Sequence, residues 1–351
     1  MQTLDPHTDH TTETTMTEPD HDRPTTMRAI RQERFGTVAA EVFSMATTEV
    51  PTPAADEVLV RVHAAGVDRG VWHLMAGLPY AVRAAGYGIR APKAPTPGMD
   101  LSGTVVSVGD DVDGFAPGDD VYGIGIGAYA EYAVAKAAKL AHKPDELDHT
   151  QAAVLAISGL TALQAVRDQA SVQPGQKVLV VGASGGVGSY VVQIAKAFGA
   201  EVTGVASRSK LDLVRGLGAD HVVDYTAGDF TDTDERYDAI IDTGGNRRLR
   251  DLRRILADEG TLVIVGGEGG GKWLGGTDRQ LRAMALSPFV SQTLGTFISS
   301  ENGDDLIELN ALVAAGSLTP AVDRTFPLEQ AADAIDRLTD GAARGKVALE
   351  I

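Results

Sequence analysis

The sequence predicts an α/β protein in which a doubly wound parallel sheet is inserted into a smaller, β-barrel-like domain. Short strands with glycine turns come first, a regular alternation of buried strands and helices follows, and a glycine-rich turn opens that second part. We predict a disordered tail at residues 1–26 and the first part of the β-rich domain at 27–150. The parallel-sheet domain is predicted at 151–288, and a return to the β-rich domain at 289–351.

The composition excludes several classes of site and partner. A chain of 351 residues suggests about two domains. It has no cysteine, which excludes disulfides, thiolate zinc sites, iron–sulfur clusters and cysteine nucleophiles. The net charge of −17 disfavours nucleic acid and anionic membranes, and no apolar run reaches the roughly 18 residues of a membrane helix. We expect a cytoplasmic protein with a small-molecule substrate and neither nucleic-acid nor membrane partners.

The acidic excess and the N-terminal tail each have two interpretations. Aspartate runs such as residues 232–235 are either an ordinary solubility surface or an adaptation to salt, and we favour salt adaptation. The tail has no apolar segment typical of a secretory signal, and it is too acidic for a mitochondrial presequence. Its histidines, His7, His10 and His21, are scattered, so we expect disorder rather than metal binding.

The residues before 150 predict short strands. Residues 57–62 alternate between apolar and polar side chains, residues 103–109 are β-branched between glycines, and 128–134 form a further candidate strand. A Pro-Gly turn at 117–118 precedes another strand. This pattern favours a β-barrel-like module.

The residues after 150 alternate between strands and helices. An alanine-rich helix is predicted over 152–166, followed by the continuous apolar strand 177–181 and a helix that Gly199 ends. Further strands are predicted at 201–206, 221–223, 238–242 and 261–265, with helices between them. Helices at 304–315 and 328–338 and a last strand at 346–351 close the chain. This order is that of a doubly wound sheet.

The glycine-rich turn has the context of a dinucleotide-binding fingerprint. Residues 177–188 (KVLVVGASGGVG) form a buried strand, a tight turn and a helix start, with Gly185 and Gly188 as the second and third fingerprint glycines. Ala183 replaces the first glycine. A helix N-terminus of this kind binds phosphate through free N–H groups, although an ordinary tight turn is the alternative. The predicted contacts to the diphosphate are Ala183, Ser184, Gly185, Gly186 and Val187.

The end of the second strand predicts NADPH rather than NADH. NAD sites carry an acidic residue about 20 positions after the glycines, which binds the ribose hydroxyls. This chain instead has Ser207, Arg208, Ser209 and Lys210, whose cations and hydroxyls suit a 2′-phosphate. A solvated basic helix start is the alternative interpretation.

A set of segments resembles the medium-chain dehydrogenase/reductase superfamily, in its zinc-free quinone oxidoreductase-like branch. The segments are 64–70 (AAGVDRG), 97–103 (PGMDLSG), 117–119 (PGD), 127–132 (GAYAEY), 158–162 (SGLTA), the glycine loop, 217–220 (LGAD) and 344–346 (RGK). Their order and spacing together are specific, and they extend over nearly all of residues 27–351.

The resemblance implies a GroES-like substrate domain, split in the sequence, with a Rossmann domain inserted near residue 150. It implies Thr161 and the loop of Val265, Gly266 and Gly267 near the nicotinamide. Tyr225 would lie near the 2′-phosphate, and Lys346 is a further cofactor residue. The family is commonly dimeric or tetrameric, so we expect a homodimer or homotetramer.

The resemblance also implies that no zinc is bound. Zinc relatives place a cysteine ligand at the position of Asp68 and a histidine at that of Met99, with Asp100 matching an acidic neighbour. Ser158 lies near the place of the third ligand. A catalytic zinc needs three protein ligands, and a thioether is a poor one.

Without a metal, easily reduced acceptors such as quinones and activated enones are favoured over simple ketones. The candidate catalytic residues each have a structural alternative. Asp68 either orients substrate or water, or donates a proton if burial favours its protonated form, or simply caps a loop. Tyr80 either borders the substrate mouth or is an exposed aromatic, and His73 either relays protons beside Trp72 or is simply packed. We predict an NADPH-dependent quinone, enone or carbonyl reductase. An alcohol dehydrogenase of the same fold and a non-catalytic, regulatory NADPH-binding protein are the alternatives.

Overall fold

The computed structural model describes residues 24–245, 247–266 and 271–351. The predicted tail, except for its last three residues, lies outside the described residues, and so do its three histidines. The strands are β1 (Thr26–Gln32), β2 (Phe43–Glu49), β3 (Glu57–Val67), β4 (Asp100–Val108), β5 (Asp120–Ile124), β6 (Tyr132–Lys136), β7 (Leu140–His142), β8 (Lys177–Val181), β9 (Glu201–Ala206), β10 (His221–Asp224), β11 (Tyr237–Asp242), β12 (Leu256–Ile264), β13 (Thr293–Thr296), β14 (Val322–Pro327) and β15 (Lys346–Glu350).

The described residues also form twelve α-helices. The α-helices are α1 (Ala39–Val42), α2 (Arg69–Ala76), α3 (Tyr80–Val82), α4 (His149–Ala153), α5 (Ala156–Gln164), α6 (Gly186–Ala197), α7 (Leu211–Gly216), α8 (Leu249–Ile255), α9 (Gly271–Leu274), α10 (Thr277–Leu286), α11 (Gly303–Ala314) and α12 (Ala331–Thr339). No helix in the described part of the chain combines the length and the apolar character needed to cross a bilayer.

The β-rich domain is organised around the long strand β3. Together with its neighbours, β3 forms a seven-stranded sheet: six strands lie in the order β14, β15, β3, β4, β5 and β7, and the seventh, β6, also pairs with β3. One edge of β3 pairs with β6 through its first half and with β15 through its second half. Because β14 and β15 follow the inserted domain in the sequence, the β-rich domain is built from segments on both sides of the insertion. The apolar side chains that alternate along β3 fill its core.

The inserted domain is a six-stranded parallel sheet. Its strand order is β10, β9, β8, β11, β12, β13, so the chain reverses direction of travel between β8 and β11. The strand β8 is buried almost throughout, as its continuous apolar sequence predicts. Ligands of such sheets bind outside the carboxyl ends of the strands at this switch point. The predicted α/β fold class, with an insertion into a β-rich domain, is confirmed.

The predicted return to the β-rich domain at residue 289 is too early. The strand β13, at residues 293–296, pairs in parallel with β12 and is the sixth strand of the inserted sheet. The helix α11 then packs against α5, with Leu306 and Leu309 in the same core. The chain re-enters the β-rich domain at β14. Four residues of edge strand carry too little periodicity to be detected in the sequence.

The strand predicted at 128–134 begins later than expected. Gly127 has a φ of +75°, and residues 128–130 pack as a buried loop, so regular pairing starts at Tyr132. The buried ring of Tyr129 occupies the space that the missing side chain of Gly98 leaves, since a Cβ there would lie 2.4 Å from the ring.

Tyr122 joins the two domains. This fully buried side chain on β5 donates its hydroxyl proton to Asn310 Oδ1 at 2.8 Å and lies 3.1 Å from Leu306 O, both on α11. Buried hydroxyl groups need such partners, because water cannot replace them.

We therefore expect Tyr122→Phe to lower the free energy of unfolding by about 1 kcal/mol, because it leaves acceptors on α11 without their donor. Tyr129→Phe is the matched control, since the Tyr129 hydroxyl lies 3.4 Å from its acceptor, Gly66 O. Urea denaturation of both variants measures the difference. An equal loss in the two variants would contradict the proposed bridge.

Candidate functional site

The glycine loop leaves an open helix N-terminus at the switch point. Gly182 has a φ of +82° and accepts a hydrogen bond from Gly185 N, which turns the chain directly into α6. Gly185 is the N-cap of α6, and no side chain caps the helix. The first N–H groups of α6 therefore have no partner within the helix and can bind an anion.

Two glycines of the loop serve different purposes. A Cβ at Gly188 would lie 2.1 Å from Gly182 O, so only glycine allows α6 to pack this closely on the loop. A Cβ at Gly185 would meet only Gly182 O, at 3.3 Å, and would otherwise enter open space. That space above Gly185 is the cradle that a diphosphate requires, so the loop fits a dinucleotide.

The carboxyl ends of three neighbouring strands meet beside the loop. Thr243, after β11, donates its hydroxyl proton to Val181 O at 2.8 Å, at the end of β8. The N–H groups of Val265 and Gly266, after β12, point to Asp242 O at 3.0 and 3.4 Å. The structure thus brings the predicted loop of Val265 and Gly266 to the switch point. Gly267 lies outside the described residues.

Thr161 lies on α5, one turn after Ser158. Its hydroxyl donates to Ile157 O at 2.7 Å and lies 3.1 Å from Ser299 Oγ, so it links α5 to the segment after β13. The side chain is partly buried.

A buried ion pair below this crevice was not predicted. Asp242, fully buried at the end of β11, accepts hydrogen bonds from the N–H groups of Gly244 and Gly245. Its second oxygen lies 2.6 Å from the guanidinium of Arg279 on α10. The only signal in the sequence was an aspartate that ends a strand before two glycines; its partner on α10 is too distant in sequence to identify.

The end of β9 presents one exposed cation. Arg208 is 80% exposed and donates to Asp224 Oδ2 at 3.0 Å. Tyr225 is half exposed beside it, and its N–H donates to Ala206 O. Lys210, by contrast, donates its ammonium protons to the carbonyl oxygens of Gly341 and Ala343, at 2.7 Å each.

The predicted basic patch is therefore divided. Ser207 and Arg208 lie at the open edge, whereas Lys210 holds the chain segment before β15. Burial lowers the pKa of Lys210.

Asp68 is the N-cap of α2. Its Oδ1 accepts the N–H of Val71 at 3.0 Å, so the structural interpretation of this residue is correct. Its Oδ2 is buried and has no hydrogen-bond partner among the described residues. An unpaired buried carboxylate oxygen is unfavourable, so this atom is suited to bind a donor from a ligand. The structure therefore keeps both interpretations of Asp68.

The two aromatic candidates differ. His73 Nδ1 lies 2.9 Å from Leu78 O, and its ring packs edge-on against Trp72. Tyr80 opens α3 and packs edge-on against Trp273 of α9, with ring centroids 5.1 Å apart. Since α3 belongs to the β-rich domain and α9 to the inserted domain, Tyr80 lies at the border between the two. Its partner Trp273 was not predicted.

Lys346 is buried between the domains. Its ammonium donates to Ser158 Oγ at 2.8 Å and lies 3.7 Å from Asp100 Oδ2. Asp100 is fully buried, and its Oδ1 accepts the N–H of Ile157. Burial raises the pKa of Asp100 to about 7; the Lys346 ammonium opposes this shift, and Asp68 adds to it. Sequence reasoning gave Asp100 only a supporting position.

The residue types at the position of a family zinc site do not suit zinc. One oxygen of Asp68 already accepts the hydrogen bond that caps α2, and Met99 has only a thioether as a potential ligand. In the described ranges, no three histidine or acidic side chains converge as metal ligands. These residues do not fit a zinc ion.

Two families match the chain. The family described as Zinc-binding dehydrogenase matches residues 217–349, and the one described as Alcohol dehydrogenase GroES-like domain matches residues 54–145. Together they cover most of the β-rich domain and the second half of the inserted domain, and residues 146–216, which include the glycine loop, lie between the two matches.

Several known proteins are similar over their whole length. A "Quinone oxidoreductase" of Mus musculus is 33% identical over 92% of this chain and 97% of its own. A "NAD-dependent alcohol dehydrogenase" of Saccharolobus solfataricus is 31% identical over 92% and 99%. Among solved structures, the quinone oxidoreductase from Coxiella burnetii superposes with a TM-score of 0.80 at 29% identity, covering 93% and 99% of the two chains.

The two loop glycines predict opposite defects. Gly188→Ala should lower the free energy of unfolding by about 2–3 kcal/mol, because its Cβ collides with backbone. Gly185→Ala should leave stability nearly unchanged and weaken dinucleotide binding at least tenfold, because its Cβ enters the cradle. Denaturation and fluorescence titration with NADPH measure the two effects. Unchanged binding by a folded Gly185→Ala variant would argue against the cradle.

Proposed function

The chain belongs to the medium-chain dehydrogenase/reductase superfamily, in its zinc-free quinone oxidoreductase-like branch, and is therefore an oxidoreductase with a nicotinamide cofactor. We propose that it uses NADPH to reduce a quinone, an activated enone or a related carbonyl compound without zinc. The observation that carries the choice of cofactor is Arg208. Its guanidinium is exposed at the carboxyl end of β9, where NAD-binding proteins have an acidic residue.

The residues at the adenosine end suit a 2′-phosphate. Among the described residues Arg208 pairs with Asp224, and because the guanidinium itself is 80% exposed, solvent weakens this pair and a phosphate can share the guanidinium. The Ser207 hydroxyl and the half-exposed ring of Tyr225 border the same edge. Lys210 makes a smaller contribution in this proposal than the sequence suggested, since backbone carbonyls already bind its ammonium.

The residues near the substrate suit an acceptor that needs little help. The bound nicotinamide supplies the hydride, and the protein supplies position and electrostatics. Asp68 Oδ2, buried and unpaired, would orient the substrate or a water molecule, and Tyr80 would border the entrance. His73 Nδ1 is already hydrogen-bonded to the backbone carbonyl of Leu78, so we assign this residue only a supporting role. Quinones and enones spread the arriving charge themselves, so these few groups suffice.

An alcohol dehydrogenase activity is the second candidate, because the chain also resembles NAD-dependent alcohol dehydrogenases. The side chains of Asp68 and Met99 disfavour it, since a simple ketone leaves an alkoxide that needs a Lewis acid. A regulatory NADPH-binding protein without turnover is the third, because Asp68 is also a helix cap. We also propose a homodimer or homotetramer, which light scattering after gel filtration measures.

The function is tested by following NADPH and NADH oxidation with a simple quinone, an activated enone and a ketone, at low and high salt. We expect turnover of the quinone or enone with NADPH, and the salt series tests the proposed salt adaptation. Stoichiometric zinc in active protein would favour the alcohol dehydrogenase. Tight NADPH binding without turnover of any acceptor would favour the regulatory protein.

Arg208→Ala should lower kcat/KM for NADPH about tenfold and change that for NADH less than about twofold, because it removes one charge-assisted contact to the 2′-phosphate. Arg250→Ala is the control: Arg250 is 75% exposed and also bonded to one aspartate, on α8. If Arg208→Ala affects both cofactors equally, Arg208 does not select NADPH.

The two proposed roles of Asp68 are separated by two variants. Asn caps a helix as well as Asp does, so Asp68→Asn should keep the stability of the protein, yet lower kcat at least tenfold. Asp68→Ala should lose the same turnover and about 1 kcal/mol of unfolding free energy in addition. Full turnover in the Asn variant would leave Asp68 with the cap alone.

A further inference from the structure

Asp100 and Lys346 are two buried charged residues that the hydride-transfer proposal uses only in part. Asp100 opens β4 and is 0% exposed; Lys346 opens β15 and is 2% exposed. The two charged ends lie 3.7 Å apart, beyond hydrogen-bond distance. Within the part of the chain that the structure describes, Asp100 Oδ2 accordingly has no hydrogen-bond partner, which is unfavourable for a buried oxygen.

The Lys346 side of this pair is connected directly to the glycine loop. Gly345 N donates to Ser184 O at 2.9 Å, which fixes the start of β15 against the loop. The stem of Lys346 passes behind the first residue of α6, since a Cβ at Gly186 would lie 3.1 Å from Lys346 Cδ. The charge of Lys346 is thus held beside the helix start that would bind the diphosphate.

The groups that face Asp100 come from several elements. They are Lys346 on β15, Asp68 at the start of α2, Tyr129 before β6 and Tyr190 on α6. Burial holds the pKa of each tyrosine well above its usual value, so both stay neutral. Of the remaining two groups, Asp68 is acidic and Lys346 is basic. The protonation state of Asp100 therefore sets how far the positive charge of Lys346 is neutralised by the carboxylate it faces.

We propose that Asp100 is a positioning residue that controls the charge which Lys346 offers to the cofactor phosphates, and that cofactor binding takes up a proton at this pair. The proposal rests on the cofactor site proposed above. With Asp100 protonated, the pair carries one positive charge. With Asp100 ionised, the pair is neutral, and the diphosphate loses part of its attraction.

The sign of the pH dependence follows from linkage. Burial raises the pKa of Asp100 to about 7, so the residue changes its charge in the neutral range. A bound anion beside Lys346 disfavours the ionised carboxylate, so binding and protonation favour one another by the same factor. Affinity for the cofactor should therefore fall as the pH rises through about 7.

Isothermal titration of the full chain, in two buffers of different ionisation enthalpy, measures the proton uptake directly. NADH is titrated as well as NADPH, because the 2′-phosphate of NADPH has a pKa of about 6 and can itself take up a proton. We expect uptake near pH 7 with both cofactors, and about fivefold weaker binding at pH 8.5 than at pH 6. Asp100→Asn should take up no proton with NADH, and its affinity should vary less than about twofold over this range.

Asp305→Asn is the matched control. Asp305 is a buried acid on α11, paired with Arg167 at 2.8 Å, and it does not contact Lys346. This variant should keep the proton uptake of the parent protein.

Asp100→Asn leaves the Lys346 ammonium buried without a counterion and so risks misfolding. The double variant Asp100→Asn, Lys346→Met replaces the pair by neutral side chains and should bind either cofactor at least tenfold more weakly, with an affinity for NADH that stays constant across the same pH range. The proposal is overturned if the parent protein binds NADH without proton uptake, or if either variant of Asp100 keeps that uptake. A parent protein that binds neither cofactor would instead overturn the cofactor site, and this proposal with it.

Discussion

The junction between the glycine loop and β15 is the constraint on which both domains depend. The strand that completes the β-rich domain starts at the loop of the inserted domain, through the hydrogen bond from Gly345 to Ser184. The next residue, Lys346, must then lie in a dry interior, where a charge needs partners. Ser158 and Asp100 supply them. A change in the glycine loop is therefore expected to affect the start of β15, and the reverse.

Four of the segments that carried the family resemblance meet at this junction. Gly66 leaves room for Asp100, since a Cβ there would lie 2.9 Å from Asp100 Oδ2. Asp100 comes from residues 97–103, Ser158 from 158–162, and Lys346 from 344–346. Four stretches that are distant in sequence thus form one polar interior. Their specific spacing has a physical reason: each provides either a charge, a partner for it, or the space to bury it.

Local chemistry determined which parts of the fold could be predicted from the sequence. The glycine loop, the buried strand β8 and the helix stop at Gly199 follow from backbone rules that operate within a dozen residues. The exposed Arg208 followed from its position after a recognisable strand. The carbonyl partners of Lys210, the contact between Tyr80 and Trp273, and the pair of Asp242 and Arg279 each join elements that only the tertiary fold brings together.

Contacts between residues that are distant in sequence also determine the chemistry near the substrate. At the position where zinc relatives hold their metal, this chain has a helix-capping carboxylate, a thioether and a serine. The positive charge nearby, that of Lys346, is bound by Ser158 and faces Asp100. In the cofactor site proposed above, this charge would act on phosphates through the electric field, but it is not free to polarise a substrate carbonyl as a Lewis acid would. An arrangement of this kind favours acceptors that stabilise their own developing charge, such as quinones and conjugated enones.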